Sequence, residues 1–200
     1  MTWLEKTVIP TVAFKVRVES DLGQSNACEI NPSIWGEIST DEIFSNKKVV
    51  VFSLPGAFTP TCSTHQLPGF EENAQKFYDK GVDDIYCCSV NDSFVMNAWR
   101  DANNLKNVKV LPDGNGLFTT EMGMLIDMSA VGFNMRSKRY AMIVDDGLIT
   151  KMFIEPDSTP EDLDPYGETT PENVLNAINV KEDTSEGHWT KTGGMSSGLQ

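Results

Sequence analysis

Apolar residues recur in two rhythms along this chain, and the switches between them outline its elements. Val12, Phe14, Val16 and Val18 alternate with Lys15, Arg17 and Glu19, the period-two pattern of a strand with one face in water, early enough to be an edge or hairpin strand. Ser39 and Thr40 stand before Asp41-Glu42-Ile43-Phe44. Hydroxyls able to accept from free backbone N–H groups, with acid in the first turn, predict a short capped helix there. Val49-Val50-Val51-Phe52 follows, apolar at successive positions and therefore a strand covered on both faces. From Thr61, the residues Leu67, Phe70, Ala74, Phe77 and Tyr78 fall at helical spacing until Gly81. Pro68 lies inside that run and, lacking an N–H, should kink or divide the helix.

The second half repeats the theme. Ile85 to Val90 is another buried strand, and Asn91 and Asp92 cap a helix carrying Val95, Met96 and Trp99. Val108 to Leu111 makes a further strand before a Pro112-Asp113-Gly114 turn, and Tyr140 to Val144, Asp145-Asp146-Gly147 and Leu148 to Ile154 read as a hairpin. Thr170, Pro171 and Glu172 open a last helix through Ile178, with cap and first-turn proline in their usual order. Parallel crossover units, then an antiparallel hairpin and a closing helix, predict an α/β protein: a mixed central sheet flanked by helices, thioredoxin-like, with extra N-terminal strands. Residues 1–180 are expected to form a single domain, and 181–200, rich in Gly, Ser and Thr, a mobile tail.

Charge narrows the partners. In 200 residues, 16 Lys+Arg stand against 29 Asp+Glu, a formal charge of −13, which repels nucleic-acid backbones and anionic membranes. The longest strongly apolar stretch, Val49 to Leu54, stops at Pro55, far short of the roughly 20 residues of a bilayer helix. Glu5 and Lys6 fall where an export signal would be unbroken and apolar, so a cytoplasmic protein is expected. Cys28, Cys62, Cys87 and Cys88 form no C-x-x-C, and two histidines cannot complete a structural zinc cluster. In a reducing compartment each thiol is either core filler or chemistry.

The most informative segment is the strand–loop–helix junction Pro55-Gly56-Ala57-Phe58-Thr59-Pro60-Thr61-Cys62. A thiol in the first turn of a helix meets unpaired N–H groups and the positive end of the macrodipole, which favour thiolate over thiol. Thr59 can turn its hydroxyl back to donate to that sulfur or accept from a substrate hydroxyl. Pro55 and Pro60 stiffen the loop, and Pro55 can shield the sulfur from water.

P-x-x-x-T-x-x-C after a buried strand resembles the peroxiredoxin signature. PGAFTPTCSTHQLPGF, VNDSFVMNAW and RYAMIVDDG resemble the type 5 subgroup, in its bacterial form without a fused glutaredoxin domain, over roughly Val8 to Ile178. The resemblance implies a thiol-dependent peroxidase that reduces hydrogen peroxide and alkyl hydroperoxides without a metal, haem or flavin cofactor, and a homodimer. It assigns the peroxidatic cysteine to Cys62, the threonine to Thr59, the loop proline to Pro55 and the arginine to Arg139. A guanidinium suits the last role because its fixed donors can hold a thiolate and a peroxide oxygen together. The product on sulfur would be a sulfenic acid.

Two departures from the family pattern stand out. Many members carry histidine four residues after the peroxidatic cysteine, where this chain has Gln66, with His65 one place earlier. Several members keep a resolving cysteine in the segment that here reads EPDSTPEDLDPYGETTP, Glu155 to Pro171, which has none. An external thiol is therefore expected to reduce the sulfenic acid, namely glutathione, glutaredoxin or thioredoxin.

Simpler readings remain beside these. Cys87 and Cys88 are adjacent on a central strand, point to opposite faces, and read as core. Cys28, in the polar segment SNACEINP, is the one candidate for a surrogate resolving thiol. Arg136 and Arg100 compete with Arg139 for the anionic site, surface or interface ion pairs being their simpler use. His65 and His188 read as solvated, and Met96 and Trp99 as core. Phe58, Phe133 and Met135 are core or dimer surface. A redox sensor that passes its oxidation to a partner protein is the alternative to a peroxidase.

Overall fold

The computed structural model describes residues 7–17, 35–159, 161–162 and 164–178. Val18, Glu19, Cys28, His188 and the segment 181–200 lie outside these residues. The described residues begin with β1 (Thr7–Val8) and β2 (Ala13–Arg17), and β2 pairs antiparallel with β3 (Trp35–Ser39). The early alternation thus serves a two-stranded unit beside the main sheet, with Phe14 turned inward. Ser39 caps α1 (Thr40–Phe44) reciprocally, its hydroxyl accepting from the Glu42 N–H while the Glu42 carboxylate accepts from the Ser39 N–H at 2.8 Å.

β4 (Lys48–Ser53) is followed by a π-helical turn, Cys62–Gln66, then α2 (Leu67–Glu72) and α3 (Ala74–Asp79). The expected break at Pro68 falls elsewhere. The wide turn sends the Leu67 N–H to the Cys62 carbonyl, Pro68 sits at the start of α2 where a missing N–H is harmless, and the helix divides at Asn73. Gly81, at φ 79°, closes α3 by letting the Val82 N–H reach the Phe77 carbonyl. β5 (Asp84–Ser89), α4 (Ser93–Ala102) capped by Asp92, and β6 (Val108–Pro112) complete the crossover units. The sequence pattern does not mark β1, β3, the 3₁₀ turn Ser129–Val131, or three further short elements: α5 (Leu117–Glu121), β7 (Leu125–Asp127) and β8 (Met135–Ser137). β9 (Tyr140–Asp145) and β10 (Leu148–Ile154) form the expected hairpin, turning on Asp146 and Gly147, both at positive φ, and α6 (Pro171–Ala177) starts from the Thr170 cap.

The main sheet has the order β1-β10-β9-β4-β5-β6, with β4, β5 and β6 parallel and β9 and β10 antiparallel. It is the mixed thioredoxin-like sheet that the pattern of elements implies. Alternation along its strands divides the core. Val50, Phe52, Ile85, Cys87, Ala141 and Ile143 face α2, α3, α4 and α6, where Phe52 stacks on Phe70 at 4.0 Å. Val49, Val51, Tyr86, Cys88, Met142 and Val144 face α1, α5 and Phe14 of β2. Cys87 and Cys88 thus lie on opposite faces, both fully buried. Among the described residues, no helix is long and apolar enough to cross a membrane.

Candidate active site

The site forms where β4 leaves the sheet. The Leu54 N–H makes a last sheet-like bond to the Cys88 carbonyl at 3.3 Å, and Pro55, with no N–H to offer, turns the buried chain away. Asn91 Oδ1 then accepts from the Ala57 N–H at 3.0 Å and from the Ser89 hydroxyl at 2.8 Å, tying the loop to the end of β5. Phe58 takes φ 63°, a left-handed conformation uncommon for a bulky residue, and stands 57 % exposed at the rim. Pro60 and Thr61 begin the helix, and the Ser63 N–H donates to the Thr59 carbonyl at 3.0 Å. Cys62 accordingly sits in the first turn with no solvent exposure.

Arg139, immediately before β9, reaches this thiol across the fold. Its Nη1 lies 3.5 Å from Cys62 Sγ and 2.5 Å from Gln66 Oε1, while Nη2 donates to Asp164 Oδ1 at 2.5 Å. Only 4 % of Arg139 is exposed. Burial disfavours its charge, but a negative Cys62 and the Asp164 carboxylate outweigh that penalty, so the guanidinium titrates above its ordinary value. The Tyr166 ring lies 5.8 Å from Arg139 Cζ, and its phenol is pushed up to about 12, chiefly by burial. Beside these groups lies a cavity of about 240 Å3 lined by Pro55, Met128, Lys138, Arg139, Pro156 and Asp164.

Thr59 departs from one expectation. Its hydroxyl donates to the Gly56 carbonyl at 2.8 Å instead of to the sulfur, because the turn through Phe58 brings that carbonyl alongside. The oxygen's lone pairs remain able to accept from a hydroperoxide. The competing arginines are engaged elsewhere: Arg136 donates to the Val90 carbonyl at 3.0 Å and the Phe133 carbonyl at 2.9 Å, bracing the neighbouring loop, and Arg100 pairs with Asp101 at 2.9 Å. His65 is exposed and near-parallel to the Tyr166 ring, at 6.4 Å.

Sequence reasoning missed the acceptors of Arg139. Gln66 is fully buried and donates through Nε2 to Thr169 Oγ1 at 3.3 Å. Thr169 in turn donates through its hydroxyl and N–H to Glu155 Oε1, both at 2.8 Å. The signal available was the placement of Gln66 one helical turn beyond Cys62, which puts both on one face.

Comparison with known proteins agrees with this geometry. The Redoxin family profile matches residues 33–168. The protein called peroxiredoxin sll1621 from Synechocystis sp. is 52% identical over 161 residues, covering 79% of this chain and 82% of that protein. The hybrid peroxiredoxin hyPrx5 of Haemophilus influenzae is 42% identical over 186 residues, covering 93% of this chain and 70% of that protein. Among solved structures, the Plasmodium falciparum antioxidant protein, a 1-Cys peroxiredoxin, superposes with a TM-score of 0.73 at 38% identity, covering 86% of this chain and 96% of that one. By family profile, relatives and fold together, the chain belongs to the peroxiredoxins, in their type 5 subgroup, as a thiol-dependent antioxidant peroxidase.

Proposed function

We propose that Cys62 is the peroxidatic nucleophile and that an external thiol regenerates it. The observation that carries the reading is the Cys62 sulfur, buried in the first turn of a helix with Arg139 Nη1 at 3.5 Å. In the first step the thiolate attacks one oxygen of R–O–O–H, a sulfur–oxygen bond forms as the O–O bond breaks, and the departing oxygen takes a proton to leave as water or an alcohol. Negative charge growing on that oxygen calls for preorganised donors, and Arg139 supplies them without ever losing its charge. Thr59 accepts from the hydroperoxide hydroxyl, and Pro55 walls the site. In the second step a thiol R′–SH condenses with the sulfenic acid, releasing water and leaving a mixed disulfide that a second thiol reduces.

External regeneration is supported by the cysteine-free stretch Glu155–Pro171 and by the fully buried strand positions of Cys87 and Cys88. We assign the reductant role to glutathione, with glutaredoxin or thioredoxin as protein carriers. A cytoplasmic setting fits the free thiols at Cys62, Cys87 and Cys88. A homodimer through the loop rim fits the exposed Phe58, Val131 and Met135, which lie around the Cys62 and Arg136 loops.

One experiment tests both halves: mass spectrometry after one equivalent of hydrogen peroxide, with and without glutathione. The expected product is a single glutathione adduct on Cys62. A Cys62–Cys28 crosslink would replace external by internal resolution, and an unmodified Cys62 after peroxide turnover would remove it as nucleophile.

A further inference from the structure

The guanidinium of Arg139 is a flat fork of five donors with fixed mutual geometry, so whatever holds one edge aims the other. Its Nε is buried without a partner. Orientation therefore rests on the two terminal nitrogens, each held by an acceptor from a different element: Gln66 on the π-helical turn and Asp164 on the segment between β10 and α6. That segment is itself anchored at the site. The Glu155 N–H donates to the Arg139 carbonyl at 3.1 Å, the Glu155 carboxylate accepts from the Gly167 N–H at 2.9 Å, and Thr169 links the same carboxylate to Gln66. The tether joins the Asp164 segment to Gln66, so the two acceptors are placed relative to one another as well as to Arg139.

We infer that Asp164 is a positioning residue for peroxide reduction: by accepting from Nη2 it holds Nη1 on Cys62. The inference rests on Cys62 and Arg139 acting as proposed above. Asp164 is well suited to that task. Its side chain is 46% exposed while that of Arg139 is only 3% exposed, so solvent screens the carboxylate and limits its repulsion of a thiolate. Its hydrogen bond is nevertheless charge-assisted and directional. Remove the acceptor, and a buried Nη2 must rotate to find another, carrying Nη1 with it. The segment where the family resemblance places a resolving cysteine in other members here supplies the acceptor that aims the arginine.

The test compares two reactions of Cys62 in Asp164→Ala and Asp164→Asn, with Cys62→Ser alongside. Both rates are taken at the alkaline plateau where Cys62 is fully thiolate: there, oxidation by hydrogen peroxide still needs donors aimed at the departing oxygen, whereas alkylation by iodoacetamide releases iodide to solvent and needs none. Asp164→Ala is expected to slow peroxide oxidation about tenfold while alkylation changes less than about threefold, since misplaced donors act on the first transition state only. Asp164→Asn keeps an acceptor and should recover most of the loss. A peroxide rate in Asp164→Ala within about twofold of the parent, the mark of an ordinary surface pair, overturns the inference. An equal fall in both reactions overturns it too, because loosened structure would act on both. Peroxide consumption by Cys62→Ser would instead overturn the underlying assignment of the nucleophile.

Discussion

Cys62 and the Cys87–Cys88 pair are alike in burial and opposite in surroundings. All three thiols are fully buried, and Cys62 and Cys87 belong to the same apolar cluster. The strand thiols lie between packed layers where burial pushes both well above the ordinary thiol range; neighbouring Cys88 and Cys62 add to this for Cys87, and Asp113 does so for Cys88. Cys62 instead has a guanidinium at 3.5 Å and the start of a helix beneath it. Depth does not separate Cys62, the proposed nucleophile, from the strand thiols. The donors within reach do, and strand interiors have already given theirs to the sheet.

The sharpest way to break the comparison is to exchange the sulfur. Cys62→Ser should lower peroxide consumption by about a thousandfold or more, because a hydroxyl lacks the thiolate's nucleophilicity. Stopped-flow mixing with hydrogen peroxide checks it. Next comes the donor: Arg139→Lys keeps the charge but loses the fork, and should slow oxidation of Cys62 about a hundredfold, the scale of losing a preorganised donor. An unchanged rate constant would pass the role to Arg136. The strand thiols should respond in stability instead. With Cys87 and Cys88 both changed to Ser, urea unfolding should show a loss of about 1–3 kcal/mol per buried hydroxyl that lacks a partner, with peroxide turnover within about twofold of the parent. Turnover falling with Cys62 oxidation intact would make one of them a resolving thiol.

The smallest effect is in alkaline stability. Cys87 and Cys88 keep their protons when folded beyond the pH near 9 at which they would release them unfolded. The folded state therefore binds more protons there. Their contribution is fully present below that pH and declines above it, by about 1.4 kcal/mol per pH unit for each thiol. Tyr166, with its phenol raised to about 12, acts in the same sense between about pH 10 and 12. Urea midpoints measured from pH 8 to 10 should fall less steeply in the Cys87→Ser, Cys88→Ser double variant, and equal slopes would mean the strand thiols titrate as if exposed.

Local chemistry explains what the sequence made legible. The Ser39, Asp92 and Thr170 caps, the Asp146–Gly147 turn and the apolar strands each depend on neighbouring residues, so pattern alone placed them. The loop from Pro55 to Cys62 was legible for the same reason, and Arg139 through resemblance. The partners of Arg139 were not. Gln66 and Asp164 stand 73 and 25 residues from it in sequence, and nothing local to an exposed acidic segment marks one aspartate as the one that folds back. β7 and β8, three residues each, are too short for a period to register. Thr59 shows the converse limit: its position was legible, its hydrogen-bond partner was set by the backbone turn at Phe58.

Trp99 lies under the site, its indole N–H donating to Ser63 Oγ at 3.1 Å and its ring 6.3 Å from that of Phe58. Ser63 is the residue after Cys62, so any unwinding of that first turn must break or lengthen the indole's hydrogen bond and admit water to a ring that is otherwise sealed. The protein therefore carries its own optical gauge. With the other three of the chain's four tryptophans changed to Phe, Trp99 emission followed through a cycle of peroxide and thiol reads the conformation of the Cys62 turn without a label.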